Sequence, residues 1–230
     1  STPLRPPVQL SMTYRVSFYA KAATGFSGAL TVSIESSDGA TVYASAPVSG
    51  LGEQWKKYTA TLTTGKISET ADTRLVIAAG STGTVWLDLV SLFPPTWHNR
   101  PNGNRPDIMQ LLADMKPSFL RFPGGNYLQG RTLATRFDWK RTLGDLAERP
   151  GHLDDAWRYR SSDGMGLLEF LEWCEDLNME PVVGVFAGFT LGGVPTQPGP
   201  ALEPVVQEAL EELEYIAGDT STTWGARRAK

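Results

Sequence analysis

Between Met12 and Phe93 apolar and polar residues alternate in short runs: Val16-Ser17-Phe18-Tyr19-Ala20, Leu30-Thr31-Val32-Ser33-Ile34, Tyr58-Thr59-Ala60-Thr61-Leu62, Leu75-Val76-Ile77 and Val85-Trp86-Leu87-Asp88-Leu89-Val90. A period of two buries one face of a strand and wets the other, and Gly, Ser, Thr and Asp between the runs mark turns. This grammar predicts an all-β sandwich, jelly-roll-like, with no helix. After Phe93-Pro94-Pro95 the period changes. Ile108, Leu111, Leu112 and Met115 stand at helical spacing behind Arg105-Pro106-Asp107, and Ser118–Phe122 reads as a strand. Asp163-Gly164 precedes a helix carrying Leu167, Leu168, Phe170, Leu171 and Cys174, which Asn178 is expected to end. Glu180–Ala187 reads as a near-continuous apolar strand and Leu202–Ile216 as a further helix.

Helix, strand, helix, strand, helix predicts a parallel sheet covered by helices, with a (β/α)8 TIM barrel as the leading architecture. The expected domains are therefore residues 1–95, a β-sandwich, and 96–230, an α/β portion. A closed barrel takes about 250 residues, and roughly 135 with two clear strands cannot close one. An open parallel sheet would expose strand edges and an apolar interior. A second polypeptide, or a segment absent from this sequence, is therefore expected to complete it. The β-sandwich also reads as a few strands short, with missing chain expected near residues 1–12.

Composition narrows the chemistry. The net charge of −4 argues against nucleic acid and anionic membranes as partners, because both recruit concentrated Lys and Arg. No apolar run approaches the roughly 18 residues of a membrane span, and residues 1–20 lack the pattern of a signal peptide. Cys174 is the single cysteine, so no intrachain disulfide forms. His98 and His152 have no ligand-spaced companion, and Gly124-Gly125-Asn126 is not followed by the Lys-Ser/Thr of a phosphate loop. Neither a metal nor another cofactor is expected.

The richest stretch is Phe119-Leu120-Arg121-Phe122-Pro123-Gly124-Gly125-Asn126. Arg121 alternates with Leu120 and Phe122, and Pro-Gly-Gly must break the strand, so Arg121 and Asn126 are placed at a strand end where barrel enzymes keep their sites. Bland readings stand beside this one: Arg121 as a buried guanidinium paired with a carboxylate, Asn126 as a turn residue, Trp157 as packing. The excursion from Tyr127 to Ser162 offers sugars the apolar faces of Trp139, Trp157 and Tyr159 and the polar groups of Asp138, Arg149, Asp154 and Asp155. Asp163 reads as a helix cap, Cys174 as core, and Glu208, Glu211, Glu212 and Glu214 as a solvated helix face. Glycoside hydrolysis with retention needs two carboxyl groups about 5–5.5 Å apart. Glu169, Glu172 and Glu175 lie on a helix expected to face out from a barrel, and neither apolar strand ends in a carboxylate, so no catalytic pair is assigned.

In order along the chain, Ser91-Leu92-Phe93-Pro94-Pro95-Thr96-Trp97, Asn99-Arg100-Pro101-Asn102-Gly103, Arg105-Pro106-Asp107, Leu120 to Asn126, Glu148-Arg149-Pro150-Gly151, Ala156-Trp157 and Asp163-Gly164-Met165-Gly166-Leu167 resemble the α-L-arabinofuranosidases of glycoside hydrolase family 51. Gly52 to Thr59 resembles the family 4 type of carbohydrate-binding module. The resemblance implies a retaining, exo-acting, secreted enzyme that frees arabinofuranose from arabinoxylan or arabinan with one Glu as nucleophile and another as acid/base. It also implies that Arg121 and Asn126 contact the sugar and the catalytic carboxylates, and that Trp157 walls the pocket. Both glutamates would lie on strands beyond this chain. Asp145, Arg158 and Arg160 depart from the family pattern and bear on the leaving-group side. A non-catalytic carbohydrate-binding protein and another retaining glycosidase of the same barrel clan remain as alternatives.

Overall fold

In the computed structural model, which describes residues 5–229, alternation along the first strand is reproduced residue by residue. β1 (Thr13–Ala22) buries Tyr14, Val16, Phe18, Ala20 and Ala22 and leaves the intervening side chains at least partly exposed. It pairs antiparallel with β4 (Lys56–Thr63) on one side and β6 (Val85–Phe93) on the other. A second sheet sets β2 (Leu30–Ser36) between β3 (Val42–Val48) and β5 (Thr73–Ala79), again antiparallel. The inward faces share one core of Val16, Phe18, Leu30, Val32, Ile34, Tyr58 and Leu62. Two buried phenols find partners: Tyr14 donates to the Pro7 carbonyl at 3.1 Å and Tyr58 to that of Gly50 at 3.0 Å. Buried hydroxyls left without such bonds would cost stability.

β3 was not expected from sequence. Val42-Tyr43-Ala44-Ser45-Ala46-Pro47-Val48 is built of small residues, which flattens the hydrophobic contrast, and a proline demotes a strand. The sheet tolerates Pro47 because β3 is an edge strand. The first compact unit runs to Asn99, a few residues past the double proline, and Arg15 Nη2 donates to Thr96 Oγ1 at 3.4 Å within it.

The second unit, Arg100–Lys230, opens with α1 (Pro106–Asp114), its proline at the first helical position where a missing N–H costs nothing. β7 (Phe119–Phe122) follows, then α2 (Gly125–Leu128), a hairpin of β8 (His152–Leu153) and β9 (Arg160–Ser161), α3 (Leu167–Leu177), β10 (Glu180–Val183), α4 (Glu203–Ala217) and α5 (Thr223–Arg228). β7 and β10 pair in parallel, Phe119 beside Glu180 through Phe122 beside Val183. Asn178 ends α3 in the left-handed conformation at φ 53°, the role the sequence predicted for it. Arg228 closes α4 by donating to the carbonyls of Tyr215, Ile216 and Gly218, a cation on the negative end of a helix.

β10 is shorter than the expected strand to Ala187. Its partner β7 ends at Phe122, Pro123 has no N–H to offer, and the Gly184 N–H to the Phe122 carbonyl at 2.8 Å is the last rung. The faces of this pair differ sharply. Phe122 stacks on Phe170 of α3 with centroids 3.6 Å apart, and both Phe122 and Val183 pack against the cluster of Phe137, Trp139, Leu167 and Tyr215. On the opposite face Phe119 is 61% exposed and Val182 46%. Four residues of parallel pairing with one bare apolar face are a fragment of a larger sheet, and no closed barrel exists among the described residues.

Candidate functional site

The bare face carries Arg121. In the β7–β10 register it lies beside Val182, one position before β7 ends, so its guanidinium leaves the C-terminal end of a parallel strand, away from the helices. It is exposed, and its Nη2 comes 3.7 Å from the position a Cβ would take on Gly125. That sets it over the first residue of α2, whose second residue is Asn126. The sharp reversal at Pro123-Gly124 thus brings the two predicted residues to one turn. Arg121 forms no ion pair with a carboxylate among the described residues. Asn126 sits inside α2 with its side chain exposed, rather than capping a turn.

Trp157 rides on a separate device. Asp154 Oδ1 accepts from the backbone N–H groups of Ala156 and Trp157, each at 2.8 Å, and Arg158 donates its N–H to the Asp154 carbonyl. This tight turn joins β8 to β9 and holds the indole of Trp157 63% exposed, with Tyr159 also exposed beside it. The hairpin base is fixed by Asp163, which accepts from Ser161 Oγ at 2.8 Å and meets His152 Nδ1 at 2.9 Å. Asp163 is therefore a buried hairpin anchor and not the helix cap the sequence predicted. Gly166 takes the cap position of α3, and Glu169 Oε2 accepts its N–H at 2.8 Å.

Other expected sugar contacts are committed elsewhere. Asp138 Oδ1 accepts from Lys140 N, and Asp155 Oδ2 accepts from Arg131 N at 2.7 Å and Thr135 Oγ1 at 2.6 Å, bonds that hold the Asp155 carboxyl below its ordinary range. Trp139 is buried against Tyr215 and Trp224. Arg149 is a buried clamp: it pairs with Glu169 Oε1 at 2.7 Å and donates to the carbonyls of Gly144 and Asp163. Glu169, expected on an outward face, is buried with it and also accepts from Asn102 Nδ2. Sequence reasoning missed this triad, although Glu169 three residues after Gly166 is capping-box spacing. Arg100 gathers Glu172, Glu175 and Asp176 around one guanidinium.

The acidic run on α4 is not a solvated face. Glu208 pairs with Arg136 and Glu211 with Lys140, while Glu214 accepts from Trp224 N at 2.7 Å. Glu212 points inward against a water-sized cavity shared with Phe137 and Trp139, and burial, reinforced by Glu208, pushes its carboxyl up to about 7. The same cavity is lined by Leu128 and Phe186, which follow the C-terminal ends of β7 and β10. Glu180 shares the bare face with Arg121 but stands at the opposite, N-terminal end of β10. No group of three metal-ligating side chains occurs among the described residues. The Arg121–Asn126 turn therefore offers a cation and an amide, and the separate Trp157 turn an indole, all open to solvent.

The model of the alpha-L-arabinofuranosidase 1 domain matches residues 111–230, and that of a carbohydrate binding domain matches residues 3–84. A probable alpha-L-arabinofuranosidase A of Aspergillus flavus is 43% identical over 211 residues, 89% of this chain and 33% of that protein. Alpha-L-arabinofuranosidase 1 of Arabidopsis thaliana is 36% identical over 221 residues, 94% of this chain and 31% of that protein. Among solved structures, arabinose-bound MgGH51 α-L-arabinofuranosidase superposes with a TM-score of 0.82 at 39% identity, over 95% of this chain and 36% of that one. The chain thus spans about a third of the length of these relatives. With more than half of its residues inside the arabinofuranosidase domain model, the chain belongs to the α-L-arabinofuranosidase family.

Proposed function

We propose that this chain forms the substrate-holding part of a retaining, exo-acting α-L-arabinofuranosidase: a β-sandwich of carbohydrate-binding-module type over residues 1–95, and the first part of a (β/α)8 barrel over 96–230. The observation that carries the proposal is Arg121, exposed and with no ion pair among the described residues, at the C-terminal end of a parallel strand beside the turn that holds Asn126. Arg121 would sit against the terminal arabinofuranosyl unit and keep a neighbouring nucleophilic carboxylate ionised by its charge. Asn126 would fix sugar hydroxyls, and Trp157 would wall the pocket.

The reaction is a double displacement: one glutamate attacks the anomeric carbon as a second protonates the departing oxygen, and water then cleaves the glycosyl-enzyme ester. Both glutamates belong to barrel strands other than β7 and β10. Those strands, from a further segment or a second polypeptide, would cover Phe119 and Val182. The polysaccharides involved, arabinoxylan and arabinan, place the enzyme outside the cell. The test is Arg121→Ala in the full-length protein carrying this chain, assayed by arabinose release from a nitrophenyl arabinofuranoside. A fall in kcat/KM of about 100-fold or more is expected for loss of a charged contact made in the transition state. A change under twofold would remove Arg121 from the site.

One observation favours the rival reading, carbohydrate binding without cleavage. Lys21 Nζ lies 5.3 Å from the ring centre of Trp55 and 5.2 Å from that of Trp86, and both indoles are half exposed. Affinity electrophoresis of the chain in arabinoxylan, with Trp55→Ala and Trp86→Ala beside it, separates the readings. Retardation lost in both variants, with no arabinose released by the full-length protein, would favour the rival.

A further inference from the structure

His152 stands between the two turns that carry the candidate residues. On β8 it pairs with Ser161 of β9, at the base of the hairpin that holds Trp157 exposed at its other end. Its Nδ1 donates to Asp163 Oδ1 at 2.9 Å, and Ser161 Oγ donates to the same oxygen at 2.8 Å. The imidazole also meets Tyr127, the residue after Asn126 in α2, nearly at right angles with ring centres 5.2 Å apart, and Phe137 at 5.6 Å. Burial pushes the Tyr127 phenol up to about 12, Ser161 pulling against the rise and Asp163 adding to it, so the ring stays neutral against the hairpin. Two features here are unfavourable, and packing alone does not account for them. His152 Nε2 is buried with no hydrogen bond among the described residues, where a phenylalanine would fill the space without an orphaned nitrogen. Asp163 holds φ 52°, a left-handed conformation that a residue with a Cβ keeps only where its surroundings over-determine it.

We propose that His152 is a positioning residue: fixed by Asp163 at the hairpin base, it bears on Tyr127 and so sets the spacing between the Asn126 amide and the Trp157 indole. The inference rests on the arabinofuranosidase reading above, in which both groups meet the sugar to be released. His152 itself touches no substrate. Asn126 and Trp157 lie on separate turns, so each can be ordered while the distance between them drifts, and a drift of about 1 Å in a site costs catalysis heavily. Tyr127 is rigidly joined to Asn126 as its neighbour in α2, and His152 to the hairpin through β8, so their ring contact is a direct strut between the two. The hairpin has a second tie: Asp155 Oδ2 accepts from Arg131 N and Thr135 Oγ1, in the loop beyond α2. Loss of His152 should therefore loosen the spacing without abolishing it.

The experiment uses the full-length protein carrying this chain and a nitrophenyl arabinofuranoside. His152→Phe keeps a ring and removes the bond to Asp163. Tyr127→Leu cuts the ring contact from the α2 side, and it decides the matter if His152→Phe does not fold. Each should lower kcat/KM about tenfold in the wild-type background but less than about twofold where Trp157→Ala is already present, because the loss passes through the indole. A purely structural role would lower both backgrounds alike, so equal losses, or none in either, overturn the proposal. A spectroscopic reading stands apart from catalysis. With fluorinated tryptophans, the fluorine resonance that is missing from Trp157→Phe should shift or broaden in His152→Phe and Tyr127→Leu well below their melting temperatures, and an unmoved resonance overturns the coupling. A wild-type protein that frees no arabinose while this resonance still responds would sink the enzymatic reading and bear out the coupling of the two turns.

Discussion

Glu212 and Arg149 show how a single buried charge governs this unit. The Glu212 carboxyl is held at about 7 when folded against 4.5 when free. A raised acid pKa means that the folded state keeps a proton the unfolded state has lost, so stability is greatest below about 4.5 and declines as pH rises toward 7. The full penalty is on the order of 3 kcal/mol. Glu212→Gln should therefore match the wild type near pH 4.5 and exceed it by roughly 2–3 kcal/mol at pH 8, as read by urea denaturation at the two pH values; an unchanged pH slope would refute this. Arg149 is the converse case, an ion already paired. Arg149→Met would leave Glu169 buried without its partner and should cost about 3–5 kcal/mol, whereas the double change with Glu169→Leu should recover much of the loss. A thermal melt of the three proteins decides, and a single variant as stable as wild type would show the clamp to be idle. Neither role could be read in the sequence, where Arg149 was expected to contact sugar. Glu212 looked like one more charge in an acidic run because its inward direction depends on Phe137 and Trp139, more than seventy positions upstream.

Elements were legible where periodicity alone decides them. β1, β2, β4, β5 and β6 follow from alternation, and α1, α3 and α4 from helical spacing, although β6 buries no residue and α1 leaves Ile108, Leu111 and Met115 exposed. Misreadings fell where a partner sets the limit: β10 stops because β7 stops, and β3 exists because β2 offers it an edge. Asp163 was misjudged for a related reason, since capping by Asp and anchoring by Asp look alike until His152 and Ser161 are seen beside it. At the candidate site, Arg121 and Asn126 could be read from strand alternation and the glycine break, while the burial of Arg149 on Glu169 could not, because it joins a loop to a helix twenty residues apart. The end of α3 gives a sharp test of local reading. Asn178 holds φ 53°, where a Cβ-bearing residue without a compensating polar side chain is strained by about 1–2 kcal/mol. Asn178→Ala should lower stability by about 1 kcal/mol and Asn178→Gly should leave it nearly unchanged, measured as urea midpoints; equal effects would mean the left-handed turn is not what ends the helix.

On the scale of the molecule, the β7–β10 pair dominates. Phe119, Val182 and Val185 are exposed together with Leu111 and Met115 of α1 and Leu210 and Leu213 of α4. Monomeric proteins seldom leave so much apolar surface uncovered, so the isolated chain should bind a hydrophobic dye and self-associate with rising concentration. Analytical ultracentrifugation with Phe119→Lys as the comparison checks this, and a monodisperse wild-type chain at 100 μM or so would contradict it. The same unpaired strand edges also dictate a rate law. If, as proposed, a separate polypeptide completes the sheet, it must first collide with it, so activity regained on mixing this chain with that complement should appear with second-order kinetics. The half-time would shorten as concentration rises, until the slower annealing of the joined strands takes over. An arabinofuranosidase assembled in that way would serve as a coincidence detector, silent until both halves have met.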